Sequence, residues 1–123
     1  RLLFETWEDT RYAFEKQNLD LARRVQPACE IITELADNAR LSHMKRMNLG
    51  ECNTESGFVY QDVLMHMVRI ADMCSNIALH TIARHSETKT SEHAYVDMLR
   101  RGENEEYNQR LKALQKLYFE GNE

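Results

Sequence analysis

The chain has 123 residues, 42% of them hydrophobic and 29% charged, with only four Gly and one Pro. That length suits one domain with a single core, and that balance excludes a disordered chain. A net charge of −4 with dispersed basic residues gives no electrostatic case for nucleic acid, and no run reaches the ~18–20 apolar residues of a membrane span.

Arg1 to about Gln17 reads as a helix, with Leu3, Trp7 and Phe14 as an apolar stripe and Thr10 filling the missing step. Trp7 is expected as a core anchor. Asn18 and Asp20 are caps for a second helix, Leu19 to Asn48, in which Leu21, Val25, Ala28, Ile32, Leu35 and Ala39 repeat in fours and threes. Pro27 removes one backbone donor there and predicts a kink or a restart. Beyond Ala39 the segment turns basic and polar at Arg40, His43, Lys45 and Arg46, which complements a helix C-terminus. Asn48 to Gly57, rich in Gly, Asn and Ser, is the clearest loop, and Cys52 lies in it with no neighbouring base.

Phe58 to His85 contains no Gly or Pro and predicts the helix around which the chain is organised. Val63, Met67, Ile70, Cys74, Ile77 and Thr81 form one line in steps of four and three. Leu64, Val68, Ala71, Ser75, Ala78 and Ile82 form a second, one residue on. Two adjacent lines make a wide buried face, suited to a helix held between two neighbours in an antiparallel bundle. The polar residues Asp62, His66, Arg69, Asn76 and His80 keep the same rhythm, broken by Met73. Carboxylates, imidazoles, a guanidinium and an amide in a row could bind a metal or an anion; spacing alone favours a solvated face laced with local pairs. Ser86 to Thr90 reads as a turn, Ser91 as the cap of a short helix ended by Gly102, and Glu103 to about Phe119 as a last helix.

Cys29, Cys52 and Cys74 are odd in number, far apart and lack a Cys-x-x-Cys pair, so neither a disulfide scaffold nor a zinc site is indicated. No Gly-rich phosphate loop and no catalytic motif is present, which argues against an enzyme. The chain opens on Arg1 inside a helical pattern, as a piece of a longer protein or a chain with a trimmed tag would.

Arg69-Ile-Ala-Asp72 followed by Ser75-Asn76-Ile77-Ala78 resembles the signature of PhoU-like domains. His43-Met-Lys-Arg46, Asn48-Leu-Gly-Glu-Cys52, Gly57 and Asp62 extend the resemblance. Together they look like the PhoU-like domain at the cytoplasmic C-terminus of bacterial sodium/phosphate cotransporter family proteins. His93-Ala-Tyr95, Leu99-Arg-Arg-Gly102 and Tyr118 fit the same pattern. The resemblance implies an all-α antiparallel bundle of three long helices plus a shorter C-terminal pair, in one domain spanning the whole chain. It also implies a non-catalytic regulatory or interaction role at the cytoplasmic face of the plasma membrane. The implied partners are the transmembrane part of the same transporter or a phosphate-signalling protein, with a homo-oligomer possible. The alternative is a free-standing PhoU-type regulator that binds metal.

Some PhoU-like bundles carry metal on Glu/Asp-x-x-x-Asp pairs. Here the matching positions are Val68 with Asp72, and Cys29 with Thr33, so no cofactor is expected. Should a metal bind, its candidates are Asp62 with His66, and Asp72 helped by an adjacent helix. The residues matching the family motif are His43, Arg46, Arg69, Asp72 and Asn76. Asp72 is expected to pair with Arg69 or Asn76, or with a neighbouring helix, and the Arg69–Asp72 pair to be partly buried. The expected core combines Val63, Leu64, Met67, Ile70, Ala71, Cys74, Ile77 and Ala78 with Leu21, Val25, Ile32, Leu35 and Trp7. Substantial strand content, or a structure with Ile70 and Ile77 in solvent, would end this reading of bundle and core.

Overall fold

The first connection already fixes the antiparallel arrangement. Gln17 takes a left-handed conformation (φ 56°, ψ 39°), and the Asn18 side chain accepts a hydrogen bond from the Leu21 amide at 3.2 Å. One helix is thereby stopped and the next capped within two residues. In the computed structural model, which describes residues 1–50, 54–85 and 91–120, the elements are α1 (Leu2–Lys16), α2 (Leu19–Asn48), α3 (Thr54–His85), α4 (Glu92–Arg100) and α5 (Glu105–Gln115). A π-helical turn, Lys116–Glu120, follows α5, and there is no strand among the described residues. The fold is the expected all-α bundle. Its long helices are α2 and α3, with 30 and 32 residues; α1 has 15.

Ser91 caps α4 through the Ala94 amide at 3.1 Å, and Asn104 caps α5 through the Tyr107 amide at 2.9 Å. Gly102 takes φ 73° between them, a backbone conformation that glycine adopts without penalty. The turn expected at Ser86 to Thr90 and the loop cysteine Cys52 lie outside the described residues.

Three expectations need correction. First, α2 runs unbroken through Pro27, which is fully buried; packing on this face outweighs the one lost donor. Second, α3 begins at Thr54, so Ser56 and Gly57 are helical rather than loop. Third, the central element is α2, which packs against α1, α3 and α5, whereas α3 was expected at the centre.

The third correction reverses half of the expected core. Of the two apolar lines on α3, the second is the inner one: Ala71, Ala78 and Ile82 are buried, with Leu64, Val68 and Ser75 half-buried. From the first line only Cys74 and Thr81 are buried. Val63, Met67, Ile70 and Ile77 are exposed, Ile70 at 39% and Ile77 at 43%, and so is Trp7. A helix packed mainly against α2, with a short α1 beside it, cannot bury a face that two long neighbours would cover. The core instead joins Leu2 and Ala13 of α1, Ala22, Val25, Ala28, Ile31 and Ile32 of α2, and the inner line of α3, closed by Tyr95, Leu99 and Leu114. Leu21 and Leu35 pack at its edge.

Threonine hydroxyls enter this core at little cost. Thr6 donates to the Leu2 carbonyl at 2.8 Å and Thr10 to the Thr6 carbonyl at 2.7 Å, so each buried hydroxyl is satisfied within its own helix.

Candidate functional site

Small side chains let α2 and α3 approach closely, and polar groups then bridge them. Cys29 Sγ donates to the Ala71 carbonyl at 3.2 Å. Gln26 Nε2 donates to Ser75 Oγ at 2.9 Å and to the Ser75 carbonyl at 3.1 Å, and Ser75 Oγ lies 3.1 Å from Gln26 Oε1. On this flank the helices border two clefts that meet at Thr33.

The first cleft, about 360 Å³, is lined by Asp37, Arg40, Gln61, Asp62 and Arg69. Arg40 is already tied to Asp37 at 3.1 Å. The second, about 280 Å³, is lined by Gln26, Cys29, Glu30, Asp72, Ser75, Arg100 and Tyr107, so α4 and α5 form its far wall. Asp37, Asp62, Arg40 and Arg69 balance charge in the first cleft, and Glu30, Asp72 and Arg100 leave the second net acidic.

The expected site residues divide among these features. Asp62 and Arg69 come together in the first cleft, and Asp72 lines the second. His66, Asn76 and Arg46 are exposed and line neither. Among the described residues no ion pair joins Arg69 to Asp72, and both are exposed, which corrects the expected half-buried pair. Their three-residue spacing permits a contact, but with water on both sides nothing compels it. No group of three His, Cys, Asp or Glu side chains that could hold a metal stands together among the described residues. Asp62 and His66 have no third ligand beside them among the described residues.

His43 is the surprise of the motif residues. It is 3% exposed, its ring centroid lies 4.7 Å from that of Tyr60, and its Nε2 has no hydrogen-bond partner among the described residues. Sequence reasoning placed it in a basic, polar helix end. It placed Arg100 and Tyr107 in the family pattern but not in a site, because nothing in their local pattern shows that α4 and α5 fold back over α2, and it gave Gln26 no role.

The thiols in this region, Cys29 and Cys74, are buried. Burial pushes Cys29 up to about 12, with Cys74 and Asp72 adding to the effect, so at neutral pH it is a protonated donor to Ala71. Burial also raises Cys74 and Tyr107. The Ser75 hydroxyl is engaged with Gln26. Among the described groups lining the clefts there is no activated nucleophile.

No curated protein and no solved structure matches the chain. Compared with protein-family models, the chain matches the PhoU domain over residues 2–81, the span of α1, α2 and most of α3. That match takes in the two long helices and both walls of the first cleft, and the chain belongs to the PhoU domain family.

Proposed function

We propose that this chain is a non-catalytic regulatory and interaction domain of a sodium-dependent phosphate transporter, held at the cytoplasmic face of the membrane by the transporter's transmembrane part. The observation that carries the reading is the PhoU domain over residues 2–81, a domain associated with phosphate-related regulation. The transporter assignment rests on motif order: His43 and Arg46, then Asp62, then Arg69 through Asn76. The clefts support regulation over catalysis, since they offer charged groups without a nucleophile–base pair. None of the described helices is long and apolar enough to cross a membrane, so any span belongs to another part of the protein.

The first test is the full-length gene product. Several ~20-residue apolar spans upstream of Arg1 support the transporter reading. A start codon immediately before Arg1 sinks it in favour of a free-standing regulator. The second test is phosphate uptake by cells lacking residues 2–81 of the product. Transport should persist but lose its response to phosphate supply; an unchanged response rejects the regulatory role.

A further inference from the structure

A separate pocket lies on the other face of α2. Arg24 stands about half a turn around that helix from Gln26 and Thr33, at ~100° per residue. With Glu5 and Asp9 of α1 and Arg110 of α5 it lines a cavity of about 180 Å³, over an apolar floor of Leu2 and Ala28. Both α1 and α5 pack on α2, so three helices bring these charges together. The charges do not answer one another. Glu5 is engaged by Arg1 at 3.2 Å. Among the described residues no ion pair joins Asp9 to Arg24 or Arg110, although both guanidiniums act on its carboxyl. Arg110 Nε is buried and has no hydrogen-bond partner among the described residues. A buried donor left in that state is costly, and native proteins give such groups a partner. The cavity has room for more than one water, whose share of the liquid is ~30 Å³. Two guanidiniums against one free carboxylate leave an excess of positive charge in it.

We infer that this cavity binds inorganic phosphate, with the anion's oxygens on Arg24 and Arg110 and its remaining O–H donated to Asp9. Guanidinium groups are planar forks that match phosphate oxygens. Asp9 makes the site selective. A carboxylate repels an oxyanion with no proton to give, such as sulfate, and accepts a hydrogen bond from one that has a proton. Phosphate keeps at least one proton at neutral pH, whereas a phosphomonoester, with a second pKa of about 6, has largely lost its last. Burial raises the Asp9 carboxyl above its ordinary value, with Arg24 and Arg110 opposing, which makes it a better acceptor. The cavity contains none of the residues that match the family motif, His43, Arg46, Arg69, Asp72 and Asn76. Phosphate here would give the proposed regulatory domain a ligand of its own, but the site follows from the cavity and not from that reading.

Isothermal titration calorimetry of the chain with inorganic phosphate, at about pH 7.5 and low salt, reads the site. The dissociation constant should be on the order of 0.1–1 mM, as for a small ligand held partly in water. Sulfate and methyl phosphate should bind at least tenfold more weakly. Arg24→Gln and Arg110→Gln should each weaken phosphate binding at least tenfold. Neither side chain is fully buried, so the parent's helical circular dichroism should be kept. Asp9→Asn should let sulfate bind as tightly as phosphate, because the amide can donate where the carboxylate repels. Arg69→Gln and Arg100→Gln, in the two clefts, should leave phosphate binding unchanged. Phosphate that fails to bind by about 10 mM overturns the inference. So does binding that is lost with Arg69 or Arg100 and kept without Arg24 and Arg110. Sulfate binding to the parent as tightly as phosphate overturns the selective role of Asp9 and leaves an ordinary anion patch. A failure here leaves the transporter reading to the uptake test in cells, which does not depend on this cavity.

Discussion

Gly57 of α3 packs so closely on His43 of α2 that a methyl group added to it would lie 3.0 Å from His43 Nε2 and 3.0 Å from Met47 Sδ. The glycine is there for approach between helices, since its own backbone is helical. Gly57→Ala would gain up to ~1 kcal/mol of helix propensity. Overpacking against a buried imidazole costs about 1–3 kcal/mol, so the clash wins. The variant should be less stable by about 1 kcal/mol in urea unfolding. In a His43→Ala background the same change should cost less, since only the flexible Met47 side chain then stands in the way. If alanine at 57 stabilises the parent chain, the close contact is not what holds this end of the bundle.

Asp72→Ala should change stability by no more than ~0.5 kcal/mol, the usual range for an exposed side chain without a fixed partner. Thermal unfolding with and without added divalent metal checks this. A clear loss of melting temperature without metal would restore the buried pair with Arg69. A metal-induced rise in the parent that Asp72→Ala abolishes would make the residue a ligand.

Cys29 gives the chain an alkaline limit. Its thiol moves from an ordinary value of 9.0 up to about 12 in the folded state. Between those values the unfolded chain has lost a proton that the native chain keeps, so stability falls as pH rises through about 9 and on toward 12. Cys29→Ser keeps a donor for the Ala71 carbonyl and cannot titrate in this range. It should therefore flatten the stability–pH curve above pH 9. Alkylation at pH 8 followed by peptide mapping should leave Cys29 unmodified in the folded chain and label it in denaturant. Rapid labelling of the folded chain would contradict its burial.

Ser75→Ala removes the hydroxyl that meets Gln26 from both sides, yet Gln26 Nε2 keeps the Ser75 carbonyl at 3.1 Å. The loss should be about 0.5–1 kcal/mol, less than for a fully orphaned amide. Gln26→Leu, which replaces the amide by an apolar side chain of similar size, should cost more at this half-buried site if Ser75 is left without its partner. Equal stability of the two variants and the parent would mean the bridge contributes nothing.

Periodicity made the helices legible. Leu19 and Asn48 were readable as the ends of α2 because a cap stands at Asn18 and a glycine follows at Gly50. It could not tell which of two adjacent apolar lines on α3 faces inward. Both have the same spacing, and the choice depends on the length of α1 and the position of α5, which are facts of tertiary packing. Gly57 misled for a related reason: glycine at a helix contact and glycine in a turn look alike in a sequence. Of the site, the residues carried by one helix, Asp62 and Arg69, were visible. Arg100 and Tyr107 were not, since they reach the second cleft only when the chain doubles back.

The bridges between α2 and α3 are unevenly placed. Gln26 with Ser75, and Cys29 with Ala71, fasten the N-terminal third of α2 to the C-terminal half of α3. Toward the opposite end His43 meets Tyr60 ring on ring and Gly57 packs close on His43 and Met47, with no hydrogen bond at His43 Nε2 among the described residues. Hydrogen bonds hold a distance and a direction, whereas ring contacts tolerate a small slide. The pair is therefore built like tweezers, with its rivet at Gln26–Ser75 and its tips at His43 and Tyr60. Opening would widen the Asp62–Arg69 cleft before disturbing the Asp72 one, and amide hydrogen exchange should be faster around Tyr60 than around Ser75.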